Sequence, residues 1–176
     1  MGKELPHKRV KLVIPILFSD NQKFDNAIKI LVDNYGKIDY KSKIIDFNLT
    51  DYYNEEMGDK IYRIIISFEN LIEPENLVEI KKNTNKIEKE LSVDGKRKVN
   101  LDPAYLTLGK FILATTKDYN HRIYMGQGIY EEVTLFYRNK KWEHYDWTYP
   151  DYRTEIYKIE LENIRKIYKE QLKKLI

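Results

Sequence analysis

Val10-Lys-Leu-Val-Ile-Pro-Ile-Leu-Phe18 is the stretch on which the fold turns. Val10, Leu12, Ile14, Ile16 and Phe18 fall on one face of an extended chain, and Val13 and Leu17 add apolar groups to the other. That pattern predicts a buried strand. Ser19 or Asp20 can cap a helix directly after it. Phe24, Ala27, Ile28, Leu31, Val32 and Tyr35 then recur at helical spacing, and Gly36 supplies the stop.

Beyond that helix, Ile38 to Leu49 predicts a second strand with Ile45, Phe47 and Leu49 on one face. Thr50 to Gly58 is a polar connection. Ile61 to Phe68 is nearly all apolar, as expected of a central strand. Pro74 opens a helix whose core face is Leu77, Ile80, Thr84, Ile87 and Leu91. Asp94-Gly95 turns the chain into a short strand carrying Val99 and Leu101. The order β-α-β-β-α-β over about residues 10–101 is that of an α+β, ferredoxin-like fold, an antiparallel sheet with helices on one face.

The remaining third, about 102–176, elaborates that core. Asp102-Pro103 has the form of an N-cap followed by an N1 proline, which predicts an extra helix through about Ala114. His121 to Met125 and Glu131 to Arg138 predict strands. Gly126-Gln-Gly128 reads as a turn or bulge needing positive φ. Asn139-Lys-Lys141 turns the chain into a hairpin strand, Trp142–Tyr145. Tyr157, Leu161, Ile164, Tyr168 and Leu175 line a C-terminal helix that either docks across the body or pairs as a short coiled coil with a second chain. The whole chain, 1–176, is expected to form a single domain.

Composition narrows the function classes. The 176 residues contain no cysteine, which excludes a disulfide scaffold, a thiolate zinc site, a cysteine nucleophile and an iron–sulfur cluster. Thirty-one basic against 28 acidic side chains give +3, too mild a balance for a nucleic-acid wrapper. No apolar run approaches the roughly 18–20 residues that span a bilayer, and the charged start lacks an apolar h-region. A cytoplasmic protein without membrane association is the expectation. Charged residues make up 34%, against about 25% in typical proteins. A thermophile's surface and an AT-rich genome both produce that figure. Fifteen tyrosines suit half-buried surfaces and grooves.

No Walker A pattern is present, and the histidines at 7, 121 and 144 form no metal-binding pair. A metal site would lean on carboxylates, favouring Mg²⁺ over Zn²⁺. The densest polar stretch is Thr115 to Tyr124. Within it Lys117 and Arg122 are candidates to hold a phosphate or carboxylate. His121 is a candidate to move a proton near neutral pH. A capped helix end with a structural His–Asp bond would explain the same stretch. Asp102 is either an N-cap or a catalytic or metal-binding carboxylate. Glu131 and Glu132 point to opposite faces of a strand, so one of them at most enters a common pocket, and Glu132 is the candidate taken.

The Tyr-rich connections Asp51–Glu56 and Asp146–Arg153 read as groove walls or as surface loops pinned by their own aromatics. Tyr105, Tyr124 and Asp51 complete the candidate ligand-binding set. Residues 96–122 hold six cations against two acids, the minimum footprint for RNA or a phosphorylated ligand. These features leave two function classes. One is a small protein that binds or acts on a phosphorylated or nucleotide-like ligand. The other is a non-catalytic RNA- or protein-binding module. Either is compatible with a monomer or a homodimer.

Four segments resemble an uncharacterised prokaryotic family, domain of unknown function 4416. They are Thr50-Asp-Tyr-Tyr-x-Glu-Glu-Met-Gly58, Val99-Asn-Leu-Asp-Pro-x-Tyr-Leu-Thr107, Ala114-Thr-Thr-Lys-Asp-Tyr-x-His-Arg-Ile-Tyr-x-Gly-x-Gly-Ile-Tyr130 and Trp147-Thr-Tyr-Pro-Asp-Tyr152. The likeness spans nearly the whole chain. It implies a stand-alone bacterial or archaeal cytoplasmic protein and no particular activity. It also implies that the Asp102, Lys117–Arg122 and Asp51–Glu56 segments share one site.

Overall fold

The structure is a computed structural model and describes residues 2–175. In chain order it comprises β1 (Val10–Phe18), α1 (Asn21–Tyr35), β2 (Ile38–Lys41), β3 (Ile45–Asp46), α2 (Asn54–Met57), β4 (Tyr62–Ile72) and α3 (Leu77–Glu90). Beyond these come β5 (Val99–Leu101), β6 (Ala104–Leu106), β7 (Lys110–Thr115), β8 (Ile123–Gly126), β9 (Ile129–Arg138), β10 (Lys141–His144) and α4 (Glu155–Lys173). Short 3-10 turns at Pro74–Asn76 and Pro150–Arg153 lead into α3 and α4. This is an α+β protein with a ten-stranded antiparallel sheet and four helices among the described residues.

The sheet runs β10-β9-β7-β6-β1-β4-β2, with β3 also on β4, β5 also on β1 and β8 also on β9. Its centre, β1, is buried along its whole length, and the reason lies in its two apolar faces. Leu12, Ile14, Ile16 and Phe18 pack with Phe24, Ala27 and Leu31 of α1 and with Ile80 and Ile87 of α3. Val13 joins Ile65, Ala104, Leu106, Phe111 and Leu113 under Tyr157, Leu161, Ile164 and Tyr168 of α4. Two helices therefore cover one face and α4 covers the other. Each fully buried aliphatic side chain in these layers is worth about 1.5–3 kcal/mol. Lys11, on the α4 face, is buried as well, held by Asp39 and by Gln171 of α4.

Several local signals act as expected. Asp20 caps α1 by accepting from the Lys23 N–H at 2.9 Å. Gly36, at φ +89°, ends it and returns its N–H to Val32 O. Gly126-Gln127-Gly128 takes positive φ throughout and joins β8 to β9.

Three expectations need correction. Asp102-Pro103 opens no helix: residues 104–115 form the β6–β7 hairpin. Ala104, Leu106, Phe111 and Leu113 alternate with the strand period and feed the α4-side core. Thr107 Oγ1 accepts from the N–H groups of Gly109 and Lys110 to make the turn. The Asp102 carboxylate caps nothing and meets an arginine instead. The strand expected over 38–49 breaks at Ser42, whose hydroxyl and N–H both bond the backbone of Ile65, leaving Leu49 exposed. Leu175 also lies outside the core, exposed beyond the end of α4.

Candidate functional site

Three adjacent strands place Arg63 of β4, Leu17 of β1 and Asn100 of β5 side by side, on the face covered by α4. Arg63 directly precedes the buried run Ile64–Ile66 of its strand, and a buried guanidinium is tolerable only when paired. It is 2% exposed and donates through Nη1 to Asp102 at 3.2 Å and through Nη2 to Asp151 at 2.8 Å. Burial works against its charge, but the surrounding acids and phenols outweigh burial and hold its pKa well above the ordinary arginine value. The Pro150–Arg153 turn delivers Asp151, and Tyr157 of α4 donates to the same carboxylate at 3.3 Å.

Next to this cluster, Arg97 donates to both oxygens of Glu56 at 2.7 Å, to Glu88 at 3.1 Å and to Asn100 Oδ1 at 2.7 Å. The hydrogen bonds to Arg97 lower the Glu56 pKa. Burial raises that of Glu88, against the pull of the Lys81 charge. Glu88 also accepts the Leu101 N–H at 2.6 Å, and Lys81 donates to the Leu101 carbonyl at 3.1 Å. These bonds clamp β5 to α3.

A cleft of about 620 Å³ opens over these groups. Its walls carry Tyr52, Tyr53, Tyr119, Tyr149 and Tyr152, its charges are Arg63, Lys81, Arg97, Lys117, Glu88, Asp102 and Asp151, and Asn100 is part of its lining. Among the described residues, seven buried side-chain polar atoms lack a partner, and three belong to this lining: Arg63 Nε, Asn100 Nδ2 and the Tyr152 hydroxyl. Lys117 stands over the Tyr52 ring and donates to its hydroxyl at 2.7 Å.

The structure brings together only part of the set expected from the sequence. Asp102 and Lys117 line the cleft. His121, Arg122 and Glu132 do not; they form a buried hub behind its wall. Glu132 accepts from Arg122 Nε at 2.8 Å and from Thr134 at 2.9 Å, with His121 Nε2 at 3.1 Å. Arg122 continues to the Lys117 carbonyl at 2.9 Å and to the Tyr149 hydroxyl at 3.1 Å. It is therefore not a free anion clamp. His121 lies flat between Tyr119 and Trp147, and the expected meeting of His121 and Asp102 in one pocket does not occur.

The remaining candidates lie elsewhere. Register places Glu132 beside Leu113 and Glu131 beside Ala114, so the two glutamates take opposite faces as expected. Tyr105 packs with the α3-side cluster, where Glu131 stands close enough to help push its phenol up to about 12 after burial itself. Glu131 has one buried oxygen without a partner, and burial raises its pKa to about 7. Tyr124 is exposed, packs on Tyr130 and accepts the Gly128 N–H. Asp51 accepts only from Asn54, within its own turn, among the described residues.

Arg63 is a site residue that no motif in the sequence marks, while Arg97, Asn100 and Asp151 fall in the basic strip, the Val99–Thr107 segment and the Asp146–Arg153 connection, where nothing local assigns them a role. A single arginine inside Ile61–Phe68 was the available signal, because a charge in a central strand demands partners. Among the described residues, no three His, Asp or Glu side chains are placed to hold a metal ion. Nor is any helix among them long and apolar enough to cross a membrane.

Comparison with curated proteins and with solved structures finds no match to the chain. A family model does match, over residues 8–168, a span that takes in every element from β1 to most of α4, with the cleft and the hub behind it. The chain thus belongs to the family described as Domain of unknown function (DUF4416).

Proposed function

We propose that the cleft binds a small phosphorylated or nucleotide-like molecule. The observation that carries this reading is the concentration of orphaned polar atoms beneath the ring of tyrosines. Buried donors without acceptors are rare and costly, about 1–3 kcal/mol each. Arg63 Nε and Asn100 Nδ2 can only donate, so their missing partners are acceptor oxygens or ring nitrogens. Tyrosine faces suit a planar ring, and Lys117 suits an anion. In this reading Asp102 and Lys117 touch the ligand, while His121, Arg122 and Glu132 act by holding the wall. Tyr105, Tyr124 and Asp51 take no part.

The rival reading, an RNA- or protein-binding surface on residues 96–122, draws less support. Arg97 and Arg122, two of the strip's six cations, are spent on Glu56, Glu88 and Glu132. We read the fold of the first half as ferredoxin-like, supported by the antiparallel β5-β1-β4-β2 pairing and by α1 and α3 sharing one face.

A thermal-shift screen against nucleotides, sugar phosphates and divalent ions tests the function. Ligand at about 100 times its dissociation constant adds roughly 2.7 kcal/mol, several degrees for a chain of this size. A shift confined to one phosphorylated class and reduced in Lys117→Ala is the expected result. Silence across the panel, with the protein shown to be folded, overturns the reading in favour of the surface module.

A further inference from the structure

The charges around the cleft are not interchangeable, and their pairing says how much anion it accepts. Arg63 is matched by Asp102 and Asp151, and Arg97 by Glu56 and Glu88. Lys81 is buried against the Leu101 carbonyl, and its charge acts on Glu88. Within the lining, Glu88, Asp102 and Asp151 thus stand against these three cations, with Glu56 outside it on Arg97. Lys117 differs from these three: it is exposed, and its ammonium meets only the ring and hydroxyl of Tyr52 among the described residues. One positive charge without a carboxylate therefore stands on the outer part of the lining, above an interior whose charges already balance.

A polyphosphate carries three or four negative charges and would need several cations or a metal to hold them. Pushed inward, it would meet Asp102, Asp151 and Glu88. A single phosphate on Lys117 meets no such opposition. The interior also offers what a ring needs and a phosphate does not. The Asn100 amide has its Oδ1 taken by Arg97, a donor only, which leaves Nδ2 to find an acceptor.

We propose that the ligand is a monophosphate with a planar, acceptor-bearing ring, its one phosphate on Lys117 and its ring inside among the tyrosines and Asn100. This rests on the small-ligand reading of the cleft and adds charge number and orientation to it.

Calorimetry with purine and pyrimidine nucleosides, each tested free and as its mono-, di- and triphosphate without added metal, reads both points. For the base that binds, the monophosphate is expected to be held about tenfold or more tighter than the nucleoside, with the di- and triphosphate no tighter still. In Lys117→Ala the monophosphate advantage shrinks to about twofold or less, while nucleoside affinity is kept. Asn100→Ala weakens nucleoside and monophosphate alike. Affinity that climbs with each added phosphate overturns the inference and leaves the small-ligand reading standing. A monophosphate advantage that survives in Lys117→Ala overturns the assigned orientation. No binding by any member of the purine and pyrimidine series, in protein with an unchanged melting temperature, overturns both.

Discussion

Arg122 donates through Nε to Oε2 of Glu132 at 2.8 Å, from side chains that are 2% and 0% exposed. The pair lies ten residues apart in sequence and has no other purpose visible at the surface. Its reach is what matters: the same guanidinium holds the Lys117 carbonyl and the Tyr149 hydroxyl, which belong to two separate segments of the cleft wall. A residue that reads as a ligand clamp in the sequence is a structural tie in the fold.

Removing that tie is expected to cost stability first. Arg122→Ala leaves the buried Glu132 carboxylate with only Thr134 and His121 beside it and should destabilise by about 3 kcal/mol. Replacing both partners, Arg122→Met with Glu132→Leu, should cost much less than the single change. Urea unfolding of the wild type, the Arg122→Met and Glu132→Leu singles and the double variant checks this; a double loss equal to the sum of the two single losses would show that the pair is not coupled.

Lys117→Ala should behave in the opposite way. The side chain is exposed, and its stability effect should stay within about 1 kcal/mol. Its loss should appear in ligand titrations instead. A large fall in melting temperature without ligand would place Lys117 among the structural residues.

Glu131 gives a pH signature. Burial pushes its carboxyl up to about 7, whereas an unfolded glutamate titrates near roughly 4.3. Between those values the folded protein holds a proton that the unfolded chain has released. Its contribution to stability therefore falls as pH rises through this window and is lowest above about 7. Glu131→Gln removes the penalty, so the variant should gain on the wild type between about pH 5 and pH 8. Denaturation midpoints at the two pH values read the difference, and a gap that does not change with pH would show that Glu131 is solvated.

Gly36→Ala should destabilise by more than about 1 kcal/mol. The position has φ +89°, and an added Cβ would lie 2.3 Å from Asn70 Nδ2, which donates to the Tyr35 carbonyl. Asn70→Ala removes the obstacle but not the strain, so the double variant should recover only part of the loss. Full recovery would assign the whole cost to the collision.

Legibility in the sequence tracks the range of the physics. Periodicity and caps act within a few residues, and β1, α1, β4, α3 and the β9–β10 hairpin are readable from them. The β6–β7 hairpin is not, because Asp102-Pro103 satisfies a local helix-start rule while Asp102 is needed by Arg63, 39 residues away in sequence. The strand period of Ala104, Leu106, Phe111 and Leu113 and the mid-helix position of Gly109 are the contrary signals. The site is legible in the same measure. Asp102 and Lys117 stand out by type and setting. Which arginines are free and which already matched depends on Glu56, Glu88, Glu132 and Asp151, and no local pattern announces such pairings.

The Arg63–Asp151 bond joins positions 88 residues apart, with the second partner in the turn that leads into α4. During synthesis, the strand carrying Arg63 is complete long before its second counter-ion exists. Until α4 has left the ribosome, one side of the sheet lacks its cover, with Val13, Ile65 and a half-matched guanidinium on it. Residues 10–101 would for that reason be a poor fragment to express alone. The docking of α4 and of the turn before it supplies the roof of the second core and the far wall of the cleft together, so any ligand that needs the cleft also reports that α4 is in place.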